Sequence, residues 1–235
     1  MSLMRFAFVA AASLVLSSCI LSPGKFVSTL HIAKDRSFTF TYVGEVILLD
    51  PAAAMQQGMQ DGLAGMGEGE PEGEGNSSAP AKPAAPPAET AQQIAEGKAI
   101  AEALSKEVGY RSVEYLGKNK FRVDYAMTGR LDRSFVYPVN LDAKSIIPWV
   151  AVEVRKDRTA RIKAIAFGEE EGVGDTAKPD SQPKEREGTF TFTTDAELVM
   201  QNNEAGMAPG PGTKVVWKVT PTSKTVPTAV VRFPG

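Results

Sequence analysis

Ser37-Phe38-Thr39-Phe40-Thr41-Tyr42-Val43-Gly44-Glu45-Val46-Ile47-Leu48 decides the fold class. Phe38, Phe40, Tyr42, Val46 and Leu48 share one face, while Thr39, Thr41 and Glu45 occupy the other, which is the alternation of a half-buried strand. Residues 26–33 pair with it as a hairpin across Lys34-Asp35-Arg36. The device recurs downstream. Residues 149–155 and 159–167 flank Lys156-Asp157-Arg158, and residues 113–116 and 121–128 flank Gly117-Lys118-Asn119-Lys120. Residues 135–141 alternate again, and Pro138 places them at a sheet edge or bulge. Residues 189–200, 213–220 and 228–233 complete the strands. The alternation at 189–193, Thr-Phe-Thr-Phe-Thr, echoes that at 37–41, as two equivalent strands of one sheet would.

One helix interrupts this pattern. Thr90 with Gln93 three residues later forms a capping box, and Ile94, Gly97, Ala101, Leu104 and Val108 fall on one face before Gly109 as a stop. Gly97 costs about 1 kcal/mol against Ala in a helix, and on the buried face it lets the helix approach a sheet closely. A hairpin, one helix, then many strands predicts an α+β fold: an antiparallel β-sheet of hairpins with one packed α-helix.

The 235 residues carry 26 Lys+Arg and 28 Asp+Glu, a net charge of −2, so no overall electrostatic bias points to nucleic acid. The N-terminus is organised for export. Arg5 precedes an apolar run over 6–16 that is too short to span a bilayer, followed by small residues, which is the layout of a signal peptide. Met4 offers an alternative start with the same mature product. Leu16-Ser17-Ser18-Cys19 resembles the lipobox of bacterial lipoproteins, and Cys19 is the chain's one cysteine. That resemblance implies cleavage before Cys19, its lipidation, and a membrane held through acyl chains worth about 0.8 kcal/mol per buried methylene. Ile20 rather than Asp after the cysteine resembles the class sorted to the outer membrane, with the body on the periplasmic face. The expected organisation is therefore a signal peptide over 1–18, a lipidated tether over 19–25 and a single domain over 26–235. Two low-complexity segments interrupt that domain. Residues 50–90 are rich in Ala, Gly, Glu and Pro, residues 168–188 are acidic with Pro, and neither buries enough apolar surface to offset chain entropy.

Catalytic signals are sparse. His31, the one histidine, alternates onto the polar strand face and reads as a surface or structural residue. Ser22-Pro23-Gly24-Lys25 has a Ser-x-x-Lys spacing, but Pro-Gly breaks the helical turn that would bring Lys beside Ser. Gly65, Gly67 and Gly69 lack the Lys-Ser/Thr ending of a phosphate loop, and the neighbouring glutamates lack the spacing of a calcium loop. Cofactors and metals are not expected. An envelope hydrolase or transferase remains an alternative, built on carboxylates and a lysine: Glu45 and Glu197, brought together if the echoed strands are adjacent, or Asp124.

Charge is the uneven feature. Setting the signal peptide and both low-complexity segments aside leaves 21 basic against 14 acidic residues. The basic residues concentrate at Lys118, Lys120, Arg122, Arg130, Arg133, Arg155, Lys156, Arg158, Arg161 and Lys163, a candidate anionic-surface-binding set. Beside a membrane, each exposed Lys or Arg is worth about 1 kcal/mol against anionic headgroups. A solvated sheet face, or a basic sheet neutralised by the chain's own acidic loops, accounts for the same charges. The expected function is that of a non-enzymatic envelope lipoprotein, a binding or scaffolding module whose partners are anionic lipid or envelope proteins.

Overall fold

The computed structural model describes residues 20–49, 89–138, 148–168, 185–208, 210 and 212–235. Cys19, the signal peptide and most of both low-complexity segments lie outside them. The elements in chain order are β1 (Ile20–Ile32), β2 (Ser37–Leu49), α1 (Ala91–Leu104), β3 (Tyr110–Gly117), β4 (Lys120–Arg130), β5 (Phe135–Tyr137), β6 (Val150–Val154), β7 (Thr159–Lys163), β8 (Glu187–Thr194), β9 (Glu197–Gln201), β10 (Thr213–Val219) and β11 (Thr228–Arg232). They form two sheets. The first has six strands in the order β10-β8-β1-β2-β4-β3, and the second five in the order β5-β6-β7-β11-β9.

The three expected hairpins are present, with Phe38, Phe40, Tyr42 and Val46 buried as their alternation requires. β5 is an edge strand that stops short of Pro138. The fold class differs from the expectation: the domain is mostly β, two sheets sharing one core, rather than one sheet carrying a helix. Alternation reveals which face of a strand is buried but not which sheet the strand joins. Residues 189–200, read as one strand, show why. Thr194 Oγ1 donates to Ile32 O at 2.6 Å and accepts from Ala196 N–H at 3.0 Å, so the chain turns out of the first sheet and enters the second as β9. The sheet is also not purely antiparallel, because β8 runs parallel to β1.

The two inner faces meet in aromatic contacts. Tyr137 of β5 packs against Phe40 and Tyr125 with ring centroids 4.9 and 4.6 Å apart, and Phe135 lies 5.0 Å from Phe38. Fully buried, each of Phe40, Phe190 and Phe192 contributes about 1.5–3 kcal/mol. The helix has a smaller part. Its capping box forms as expected, but only Gly97 and Ala101 are buried, and its face ends at Leu104, leaving Val108 84% exposed. It packs mainly on the edge strand β3, where a Cβ on Gly97 would overlap the Tyr115 ring.

Two boundaries also move. The expected tether is largely strand: Ile20 already pairs with Leu49, and Ser22 and Pro23 are buried in β1. The second low-complexity segment ends before Arg186, which is 1% exposed and donates from its two terminal guanidinium nitrogens to the carbonyls of Ala166, Gly168, Pro221 and Ser223.

Candidate interaction surface

β1 gives the domain its long axis. Its thirteen residues, rising about 3.3 Å each, separate Ile20 from Ile32 by roughly 40 Å. The ends of that axis differ, and the ten basic residues distribute between them and the two outer faces.

At the Ile20 end, Leu21 pairs with Leu48, whose N–H donates to Asn119 O at 2.8 Å. The turn carrying Lys118 and Lys120 is therefore one strand away from the start of β1. Lys118 and Asn119 have φ of 51° and 56°, the left-handed pair that suits a tight hairpin turn. Lys120 hydrogen-bonds Glu185 and lies 3.7 Å from Glu45. The Glu185 bond, with Glu45 assisting, outweighs partial desolvation and raises the lysine above its ordinary pKa. Arg122 faces out from β4 and lies 3.3 Å from Glu114. Lys120 and Arg122 are thus matched by carboxylates, whereas Lys118 forms no ion pair among the described residues.

The opposite end is built from tight turns. Lys34-Asp35-Arg36 and Lys156-Asp157-Arg158 are two copies of one device. In each, the Arg takes a left-handed φ, 71° and 63°, and the Asp Oδ1 accepts from the backbone N–H and hydroxyl of Ser37 or Thr159. Those hydroxyl bonds, with the backbone N–H bonds, hold both carboxyls below the ordinary aspartate pKa. The C-terminal Phe233 ties the copies together: the Arg36 guanidinium lies 5.1 Å above its ring, and its N–H donates to Arg158 O at 2.9 Å. Leu131 N–H donates to Arg36 O and Val154 N–H to Ser134 Oγ, which bring Arg130, Arg133 and Arg155 to the same end. Arg130 meets Asp132 at 3.2 Å and Arg155 meets Glu153 at 3.4 Å. Among the described residues, the side-chain nitrogens of Lys34, Arg133, Lys156 and Arg158 form no ion pair.

Arg161 and Lys163 lie on β7, on the outer face of the second sheet. The ten residues expected to form one basic surface are therefore divided, because β4 and β7 belong to different sheets whose outer faces look away from each other. Five of them, Arg130, Arg133, Arg155, Lys156 and Arg158, gather far from Ile20. Lys34 and Arg36 join them from outside the 111–163 stretch, and the repeated Lys-Asp-Arg turn was the sequence signal for that union.

The carboxylates of the hydrolytic alternative are not brought together. The echoed strands β2 and β8 are separated by β1, with Leu30 paired to both Phe40 and Phe192. Glu45 faces Lys120, Glu197 on the second sheet pairs with Arg232 at 3.0 Å, and Asp124 lies 3.9 Å from Arg111. His31 lies on the polar face with Nδ1 2.9 Å from Thr193 Oγ1. Among the described residues no group of three or more His, Cys, Asp or Glu is placed to hold a metal ion, and no helix is long and apolar enough to cross a membrane. A narrow apolar cavity of about 50 Å³ opens near the start of β1, between Leu21, Leu48, Ile100, Leu104 and Trp149. Its lining is almost wholly apolar.

No protein-family model matches the chain, and no curated protein matches it. Among solved structures, the NMR structure of the folded domain of LppM from Mycobacterium tuberculosis is similar at a TM-score of 0.34 and 12% identity, over 92% of this chain and 93% of that one. A likeness that slight carries no argument about fold or role.

Proposed function

We propose that the protein is a lipid-anchored bacterial envelope lipoprotein, held through Cys19 at the outer membrane with its body in the periplasm. Its two-sheet domain serves as a non-enzymatic binding or scaffolding module. The observation that carries this reading is the Leu16-Ser17-Ser18-Cys19 lipobox, and the start of β1 sets the orientation. Ile20 is already paired with Leu49, so the residue bearing the lipid is a single Cα step of about 3.8 Å from the folded body. Acyl chains on Cys19 then hold the Ile20 end of the axis at the bilayer, with no spacer between lipid and domain.

This orientation divides the expected partners. Lys118 and Lys120 come to headgroup level, where each is worth about 1 kcal/mol at most, and Lys120 is already engaged by two carboxylates. The seven cations at the far end stand roughly 40 Å from the bilayer, beyond the ~8 Å screening length of physiological salt. The arrangement therefore favours an envelope protein over anionic lipid as the principal partner.

Replacing Cys19 tests the anchor. In cells fractionated after expression of the full chain, Cys19→Ser is expected to move the protein from the membrane to the soluble periplasmic fraction. Retention in the membrane at the wild-type level would overturn the reading.

A further inference from the structure

We infer that the end of the domain opposite Ile20 is a docking surface for a protein partner, recognised through a carboxylate-bearing segment of that partner. The inference deepens the anchored reading and takes from it only the direction in which this end faces.

The acids nearest the cations are largely committed to the fold. Asp35 and Asp157 cap their own turns, and Asp195 Oδ1 accepts the Lys34 N–H at 2.6 Å. That leaves the side chains of Lys34, Arg133 and Lys156 exposed without an ion-pair partner among the described residues, while the Arg158 guanidinium lies against Gly235. Their placement is rigid. The two Lys-Asp-Arg turns share one backbone form and are joined through Phe233, so little further ordering is needed on binding. Arginines dominate the cluster, as they do at protein interfaces, where the guanidinium fork matches a carboxylate.

The sign pattern identifies the occupant as protein. Asp132 and Glu153, with side chains 68% and 59% exposed, sit among the cations. A uniform polyanion such as polyphosphate is repelled by them, whereas a folded partner with charges of both signs can match them. The lipid surface that holds the anchor is several screening lengths away.

The test uses the full-length acylated protein in neutral detergent micelles. Binding of a fluorescent mixed-charge peptide, (Glu-Glu-Lys)4, is followed by anisotropy, beside inorganic polyphosphate and vesicles of phosphatidylethanolamine with equimolar phosphatidylglycerol. One variant carries Lys34→Glu, Arg133→Glu and Lys156→Glu. A second carries the same charge change elsewhere, through Lys98→Glu, Lys218→Glu and Lys224→Glu. Both leave the turn-capping aspartates in place, and matched thermal midpoints certify folding. The far-end variant is expected to bind the peptide at least about tenfold more weakly, and the control within about twofold. Equal losses in both variants, no peptide binding by the wild type, or polyphosphate binding as tight and as dependent on the far end would each overturn the inference. So would vesicle binding lost only in the far-end variant. Fractionation of Cys19→Ser reports separately on the anchor, so either reading can fail alone.

Discussion

The two ends of the sandwich are built by opposite means. At the far end the chain reverses in three- and four-residue turns whose own aspartates satisfy their own amide groups. At the Ile20 end the elements that meet come from distant parts of the chain: Ile20 pairs with Leu49, and Arg186 reaches the carbonyls of residues 166–168 and 221–223. There the order comes from long-range contacts: Arg186 on four carbonyls, Trp149 Nε1 donating to Leu21 O at 3.1 Å, and Gly44 and Gly188 flanking Phe26 across the sheet. The far end carries more of its order in local sequence, and the Ile20 end more in the assembled fold.

Substitutions should separate the two. Arg186→Ala strands several buried carbonyls at once, and urea unfolding is expected to show a loss of about 3–5 kcal/mol. An unchanged midpoint would mean the Ile20 end is not held as described. Gly44→Ala comes next. A Cβ there would approach Lys25 O and the Phe26 backbone so closely that β1 must shift, with an expected cost of about 1–3 kcal/mol in the same assay. Thr90→Ala removes the capping box and should cost about 1 kcal/mol, with helical ellipticity falling before global unfolding.

The smallest effect belongs to the far end. Asp35 and Asp157 bind protons less readily folded than unfolded, so their contribution is complete above the ordinary value of 3.8 and fades as pH falls through the lowered ones. Asp35→Asn with Asp157→Asn should flatten that part of the acid-side stability curve and leave neutral-pH spectra unchanged. Both carboxyls are solvent-exposed, so the change is small, and a slope identical to wild type would show that the turns do not depend on their charge.

How much of this was legible follows the same division. The Lys-Asp-Arg turns, the Gly117–Lys120 turn and the Thr90–Gln93 cap announce themselves within a few residues, and all form. The sheet partner of β8 does not, because its parallel pairing to β1 joins Thr29 to Thr191 across more than a hundred and sixty positions. Arg186 read as part of an acidic low-complexity run because its carbonyl partners come from residues 166–168 and 221–223. The basic set was drawn from one stretch of chain, and two sheets divided it. Ile20 to Lys25 read as tether because Pro-Gly breaks a helical turn, whereas a bulge between Pro23 and Phe26 absorbs both residues into the strand.

That parallel pairing also sets an order of events. β1 is the first strand to emerge, and β2 can zip onto one of its margins early, but its other margin stays without a ladder until residue 187 arrives. Contacts so distant in sequence slow folding, since a long loop must close before they repay its entropy. On the proposed reading, a chain exported from its N-terminus stays incomplete, and threadable, until most of it is through.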